Sequence, residues 1–238
     1  MLEEKIFSTT RINEGLRAYM LRVYNYMIGG LLVSALFAYV GTSQTILKLM
    51  YNISEKGVSL SLWGILILLA PFVLVFMISS AVATFNAEKA QTLFWIFSGL
   101  MGLSFSPIVI AYSNASLATT FLVTAGAFAG LSLYGYTTKK DLTGMGQFAF
   151  MGLIGIILAV IVNWFVKSPA VDYAVSIIGV VVFTIFTAYD TQRIRRLYEF
   201  STTEETTKAL SISGALTLYL DFINLFLFLL RFLGGRQR

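Results

Sequence analysis

Long apolar runs, broken by short stretches where the charges collect, set the pattern of this chain. The runs fall at about residues 24–41, 62–84, 92–112, 118–136, 147–166, 171–189 and 210–233. Each approaches the roughly 20 residues that a helix needs to cross the hydrocarbon core of a bilayer. The pattern therefore predicts an all-α polytopic membrane bundle of seven transmembrane helices. Only residues 42–61 and 191–209 leave room for longer connections. With so little backbone outside the bilayer, the helices must satisfy nearly all main-chain hydrogen bonds internally. The last run stands apart: within LTLYLDFINLFLFLLR (216–231) it carries an acid, Asp221, and an amide, Asn224.

Composition sharpens this reading. The 238 residues are 57% hydrophobic and 12% charged, with a mean hydropathy of +0.79, whereas soluble domains hold about 25% charged residues. Almost nothing is left for a soluble domain, so the division is an N-terminal arm, 1–22, and one seven-helix domain, 23–238. The arm mixes acids with bases, lacks a cleavable signal pattern, and reads as cytoplasmic, helical from Glu14. With the N-terminus inside, eleven of the 17 lysines and arginines fall on the cytoplasmic side, so the positive-inside rule favours that orientation. No segment gathers these bases into a stripe, so nucleic acid is not an expected partner. The chain has no cysteine and no histidine. That excludes thiol nucleophiles, zinc thiolate sites and imidazole chemistry, and with them rhomboid-type serine proteases and metalloproteases. No cofactor is expected.

Small residues predict close helix approaches: the Gly126-x-x-x-Gly130 pair in the fourth span, and Gly152, Gly155 and Gly179 in the fifth and sixth. Pro71 and Pro107 fall inside the second and third spans, where each removes a backbone hydrogen bond. Trp95 and Trp164 read as interfacial anchors.

Ten of the twelve acids lie in the arm, in loops or, for Asp172, at the very start of the sixth run, where a solvated charge is the expected state. Asp190 instead closes the sixth run, in FTAYDTQRIRR, and Asp221 lies within the seventh. A carboxylate near the bilayer centre costs at least about 2.5 kcal/mol, so such an acid faces a bundle interior, a partner or a water path. Consecutive spans pack side by side. Depth permits the two acids to meet if the seventh helix starts early or the sixth continues past Arg196. Two carboxylates in contact cannot both ionise cheaply and share one proton over a range of pH. When both are ionised they repel or attract a cation, and their hard oxygens suit Ca²⁺ transiently. The bland alternative is a structural acid satisfied by Asn224, a tyrosine hydroxyl or water.

Three pieces of the chain resemble the transmembrane Bax inhibitor motif family, which includes Bax inhibitor-1 and bacterial YccA-like proteins. They are Lys139-Lys140-Asp141-Leu142-Thr143, Ala188-Tyr189-Asp190-Thr191-Gln192, and Leu218 to Phe226 with Leu230-Arg231-Phe232. The resemblance implies a seven-helix fold with the C-terminal helix central, and a pH-sensitive calcium leak gated by protonation of paired aspartates that match Asp190 and Asp221. It implies that acid favours opening; the absence of cysteine, for its part, fits a bacterial inner membrane without excluding an organelle. Tyr189, Arg193 and Asn224 adjoin the pair as supporting groups. One departure stands out. The arginine that latches the pair from the family's second helix is missing, and Lys89 and Asn86 are the nearest substitutes.

Two other functions compete. Some bacterial members of the family modulate a membrane-bound AAA protease, a role that would fall to the N-terminal arm here. An intramembrane aspartyl protease also uses two aspartates on consecutive helices, but Leu218 and Leu220 occupy the glycine places of its GxGD motif, and no Pro-Ala-Leu follows. The chain therefore reads as a non-enzyme whose partners are the bilayer and a cation.

Overall fold

The computed structural model describes the backbone of residues 2–54 and 57–235, and the side chains of residues 14–52 and 57–235. Seven helical segments are long and apolar enough to cross a membrane: Glu14–Val40, Leu62–Ala83, Ala87–Ala111, Asn114–Thr137, Thr143–Val166, Pro169–Phe200 and Glu204–Leu233. The count agrees with the apolar pattern, and the spans are mostly longer. Large apolar side chains such as Phe72, Phe76, Leu122, Phe148 and Phe165 are exposed along them, as helices surrounded by lipid require. The last span is the most buried, at 44% of its apolar window against 17–33% for the others, the property expected of a central helix.

In chain order the helices are α1 (Leu2–Val40), α2 (Gln44–Met50), α3 (Leu62–Ala83), α4 (Ala87–Ser104), α5 (Ser106–Ala111), α6 (Asn114–Thr137), α7 (Thr143–Val166), α8 (Pro169–Leu197) and α9 (Glu204–Leu233). A 3₁₀ turn, Tyr198–Phe200, follows α8. The connection 42–61, described at 42–54 and 57–61, contains regular structure. It holds α2 and an antiparallel hairpin of β1 (Tyr51–Ser54) and β2 (Gly57–Leu60), with Tyr51 opposite Leu60. Ser61 ties the hairpin to α3: its amide donates to the Met50 carbonyl at 2.9 Å, and its side chain caps α3 by accepting from Gly64 N at 3.0 Å.

The chain forms two compact units. The first comprises Met1–Ile110 and Leu197–Leu216, the second Ala111–Arg196 and Thr217–Arg238. In the first, α4 packs between α1 and α3 around Tyr19, Val23, Ile78, Phe94 and Phe97. From Glu14 onward the arm contributes its buried residues Tyr19 and Met20 to this packing. Tyr19 is buried against Tyr198, and Arg22 pairs with Glu204 at 2.8 Å. The side chains of residues 1–13, Lys5 and Arg11 among them, lie outside the described residues, as do those of Lys56, Arg236 and Arg238. In the second unit, Ala149, Ile156, Val175, Val182, Phe183 and Leu225 form the apolar core.

Close approaches fall on some of the glycines the sequence singled out and on others it did not mark. Gly126, Gly130 and Gly155 have open space where a side chain would sit, so the GxxxG pair is not a contact within this chain. Gly152 and Gly179 do pack, against Val182 and Phe228. The tightest approaches include Gly102 on the Ser34 backbone and Gly135 on the Ala188 carbonyl, where even a methyl group would overlap. Trp95 packs on Gly29 and Tyr26 rather than standing as an anchor, whereas Trp164 is exposed at the end of α7.

Each proline leaves one carbonyl four residues earlier without its amide partner, and a serine supplies the missing donor. Pro71 frees Ile67 O, which accepts from Ser104 Oγ of α4 at 3.2 Å; α3 stays a single helix. Pro107 frees Leu103 O, which accepts from Ser106 Oγ at 2.7 Å, and here the span breaks at Phe105 into α4 and α5. Hydroxyls that re-satisfy freed backbone groups are what makes proline tolerable in a membrane helix. Ser104→Ala is therefore expected to lower stability by about 1 kcal/mol, and by less in a Pro71→Ala background, where a new amide serves Ile67 O. A double-mutant cycle of thermal unfolding in detergent measures that coupling.

Candidate functional site

The C-terminal third of α8 is unusually polar for a buried helix face. Thr187, Asp190, Thr191 and Gln192 are all buried, alongside Ala188 and Ile194. The helix persists through the stretch expected to be a loop because Arg195 and Arg196 lie in its last turn, where cations complement the helix dipole. The next helix also starts earlier than its apolar run, at Glu204. Thr203 caps it, its Oγ1 accepting from Thr206 N at 3.1 Å, and Glu204 and Glu205 occupy the first turn. Hence α8 does run past Arg196, and α9 begins ahead of Lys208.

Asp221 lies about 25 Å along α9 from Glu204. It is 5% exposed, Asp190 is 6% exposed, and Asp190 lies within electrostatic reach of Asp221. Asp221 Oδ2 is fully buried and has no hydrogen-bond partner among the described residues. Arg193 approaches Asp190 Oδ1 at 3.8 Å from a largely solvent-exposed position. This distance makes a loose ion pair.

The remaining predicted residues are placed as follows. The Asn224 amide donates to Leu220 O of its own helix at 2.8 Å, so it is not the partner of Asp221 Oδ2. The Tyr189 ring lies flat on Gly146 of α7, where a methyl group would overlap it. Asn86 and Lys89 belong to the first unit: Asn86 caps α4 by accepting from Lys89 N at 2.9 Å, and Lys89 edges a shallow groove with Val73, Phe76, Met77 and Ser80.

A second feature of α8 escaped the sequence reading. Gln192 grips the α6–α7 loop at both ends of its amide: Nε2 donates to Lys140 O at 2.7 Å, and Oε1 accepts from Leu142 N at 3.0 Å. Arg195 donates to the Tyr136 carbonyl and lies over its ring, and Arg196 reaches Asp141 Oδ1 at 2.9 Å. Asp141 is thus bonded rather than merely solvated. Two of the three resemblance pieces, KKDLT and AYDTQ, are bound to one another. A glutamine two residues after a buried acid was the available signal, but an amide has no preferred partner until the fold supplies one.

Residues 16–238 match the profile of a family described as inhibitor of apoptosis-promoting Bax1. The chain belongs to that family. An inner membrane protein of Escherichia coli strain K12, YbhL, is 46% identical over 226 residues, covering 94% of both chains. RP147 of Rickettsia prowazekii, an uncharacterized protein, is 44% identical over 238 residues and 98% of both chains. YrjE of Lactococcus lactis is 34% identical over 222 residues, 93% of this chain and 92% of that one. Membership accords with the resemblance, and the seven spans mark an integral membrane protein.

Hydrogen bonds from the Thr143 side chain and from Arg196, with one from the Thr143 amide, hold the Asp141 carboxyl down at about 2, below its ordinary 3.8. A lowered value stabilises the fold fully above the ordinary one, and that contribution disappears as the pH falls from 3.8 through 2. The loop clamp is therefore constant across neutral and mildly acidic pH. Gln192→Leu is expected to free the loop and to speed tryptic cleavage after Lys139 roughly tenfold; time-resolved digestion followed by mass spectrometry checks this at pH 7.

Proposed function

We propose that this protein is a pH-sensitive cation leak, with Ca²⁺ as the permeant ion, gated by a proton held between Asp190 and Asp221. It would sit in a bacterial inner membrane with the N-terminus cytoplasmic, as the excess of bases on that side favours. The observation that carries the reading is Asp221 Oδ2, a carboxylate oxygen buried on an apolar helix without a hydrogen-bond donor among the described residues. A bare carboxylate there is too costly to be merely structural, since each buried unpaired acceptor costs about 1–3 kcal/mol and a charged one more. A proton or a cation relieves that cost, and the neighbouring Asp190 competes for either one.

Protonation would replace repulsion between the two acids with a shared hydrogen, and so favour one packing of α8 against α9; loss of the proton would favour the other. The groups bearing on the two acids are few. Asp190 feels Arg193 from its own helix, and Asp221 feels Asp190. No group of three His, Cys, Asp or Glu converges among the described residues. Ca²⁺ takes about six to eight oxygens, so two carboxylates would hold an ion loosely enough to let it pass. This reading involves no enzymatic step and no cofactor.

In proteoliposomes enclosing a calcium dye, the wild-type protein is expected to admit Ca²⁺ at a rate that changes between pH 5 and pH 8. Asp221→Asn is expected to flatten that dependence. An unaltered rate with an unaltered pH profile would remove Asp221 from the mechanism.

A further inference from the structure

Four buried positions recur at intervals of four along α6: Thr120, Thr124, Phe128 and Ser132. Residues so spaced form one ridge, here about 18 Å long. Three of the four carry hydroxyls. α8 adds Thr187 and Thr191, also four apart and buried, and the two helices meet where Ser132 Oγ lies 2.9 Å from Thr191 Oγ1. Gly135 permits that meeting by letting α6 rest on the Ala188 carbonyl.

The direction of the hydrogens matters. Thr124 donates to Thr120 O at 2.7 Å, Thr187 to Phe183 O at 2.8 Å, and Thr191 to Thr187 O at 2.7 Å. A hydroxyl has one hydrogen and two lone pairs, so these oxygens have already spent their donors on their own helices. Thr191, its hydrogen spent on Thr187 O, presents its oxygen to Ser132 Oγ as an acceptor. A hydroxyl bonded in this way is satisfied wherever it points, so the bond does not explain why these side chains turn inward rather than toward lipid. What Thr124, Thr187 and Thr191 offer inside is acceptor oxygen, and Asp221 Oδ2 adds a buried acceptor with no partner among the described residues. Acceptors without donors suit a cation and reject an anion.

The ridge is interrupted once. Phe128 meets Phe222, the residue after Asp221, with ring centroids 5.5 Å apart and planes at 66°, and Phe121 meets Phe222 at 5.5 Å and 62°. A cation passing between these rings finds no oxygen to replace its water, which makes the rings a hydrophobic constriction.

We propose that the hydroxyl ridge of α6, the hydroxyls of α8 and Asp221 form an oxygen-lined path for a small cation, closed in this conformation by Phe222 packed against Phe128 and Phe121. The proposal rests on the cation-leak reading and assigns its barrier to residues distinct from the acids. In the same dye-loaded proteoliposome assay, Phe222→Ala is expected to raise Ca²⁺ entry roughly tenfold at the pH where the wild type is slowest. Adding Thr124→Val, which keeps volume but removes the lone pairs, is expected to lower that entry several-fold. If packing alone explains Thr124, the valine variant conducts unchanged, and the oxygen-lined path is overturned.

Phe128→Ala carries the same expectation should Phe222→Ala fail to fold. Unchanged Ca²⁺ entry in a folded variant overturns the constriction even where Asp221→Asn abolishes the pH response. Raised entry with Asp221→Asn inert keeps the path and discards the aspartate gate. Equal release of an anionic dye from Phe222→Ala vesicles would mean general leakiness and would overturn the cation path.

Discussion

Inside hydrocarbon, a carbonyl, hydroxyl or carboxylate without a partner has no water to turn to. That constraint accounts for more of this molecule than any single packing contact. It explains why Pro71 and Pro107 each come with a serine hydroxyl on the carbonyl they orphan, and why Thr124, Thr187 and Thr191 donate to their own helices. Against this background of satisfied groups, one oxygen of Asp221 and one nitrogen of Arg22 are the side-chain atoms buried without a partner among the described residues. A chain that pairs its polar groups so consistently has left a charged acceptor without a donor at one deeply buried place.

The seven spans were legible because apolar runs of spanning length have few other fates. Their ends were not. Hydropathy stops where charge begins, but a helix stops where its capping and dipole interactions stop. Arg195 and Arg196 extend α8, and Thr203 with Glu204 and Glu205 starts α9 early. The hairpin at 51–60 gave no warning either, since it is pinned by Ser61 to backbone rather than by an alternating apolar face.

Within the site, the two acids could be read from sequence because an intramembrane carboxylate is expensive wherever it lies. The neighbours could not. Asn224 looked like a partner for Asp221 by proximity in the chain, yet its amide turns back to Leu220 O. Gly126 and Gly130 had the spacing of a packing motif but face open space, whereas Gly135, with no motif to mark it, bears the close approach to α8. Spacing reports which residues share a face and is silent about what that face meets.

The grip of Gln192 on the α6–α7 loop has a mechanical consequence. Its amide is occupied at both ends by loop backbone, two residues from Asp190, so the final turns of α8 cannot twist about their axis while the loop stays still. Torque applied to residues 138–142 from outside the bilayer is delivered to the helical turn that bears Asp190. A peptide segment with no titrating role of its own thereby becomes a lever on the buried acid.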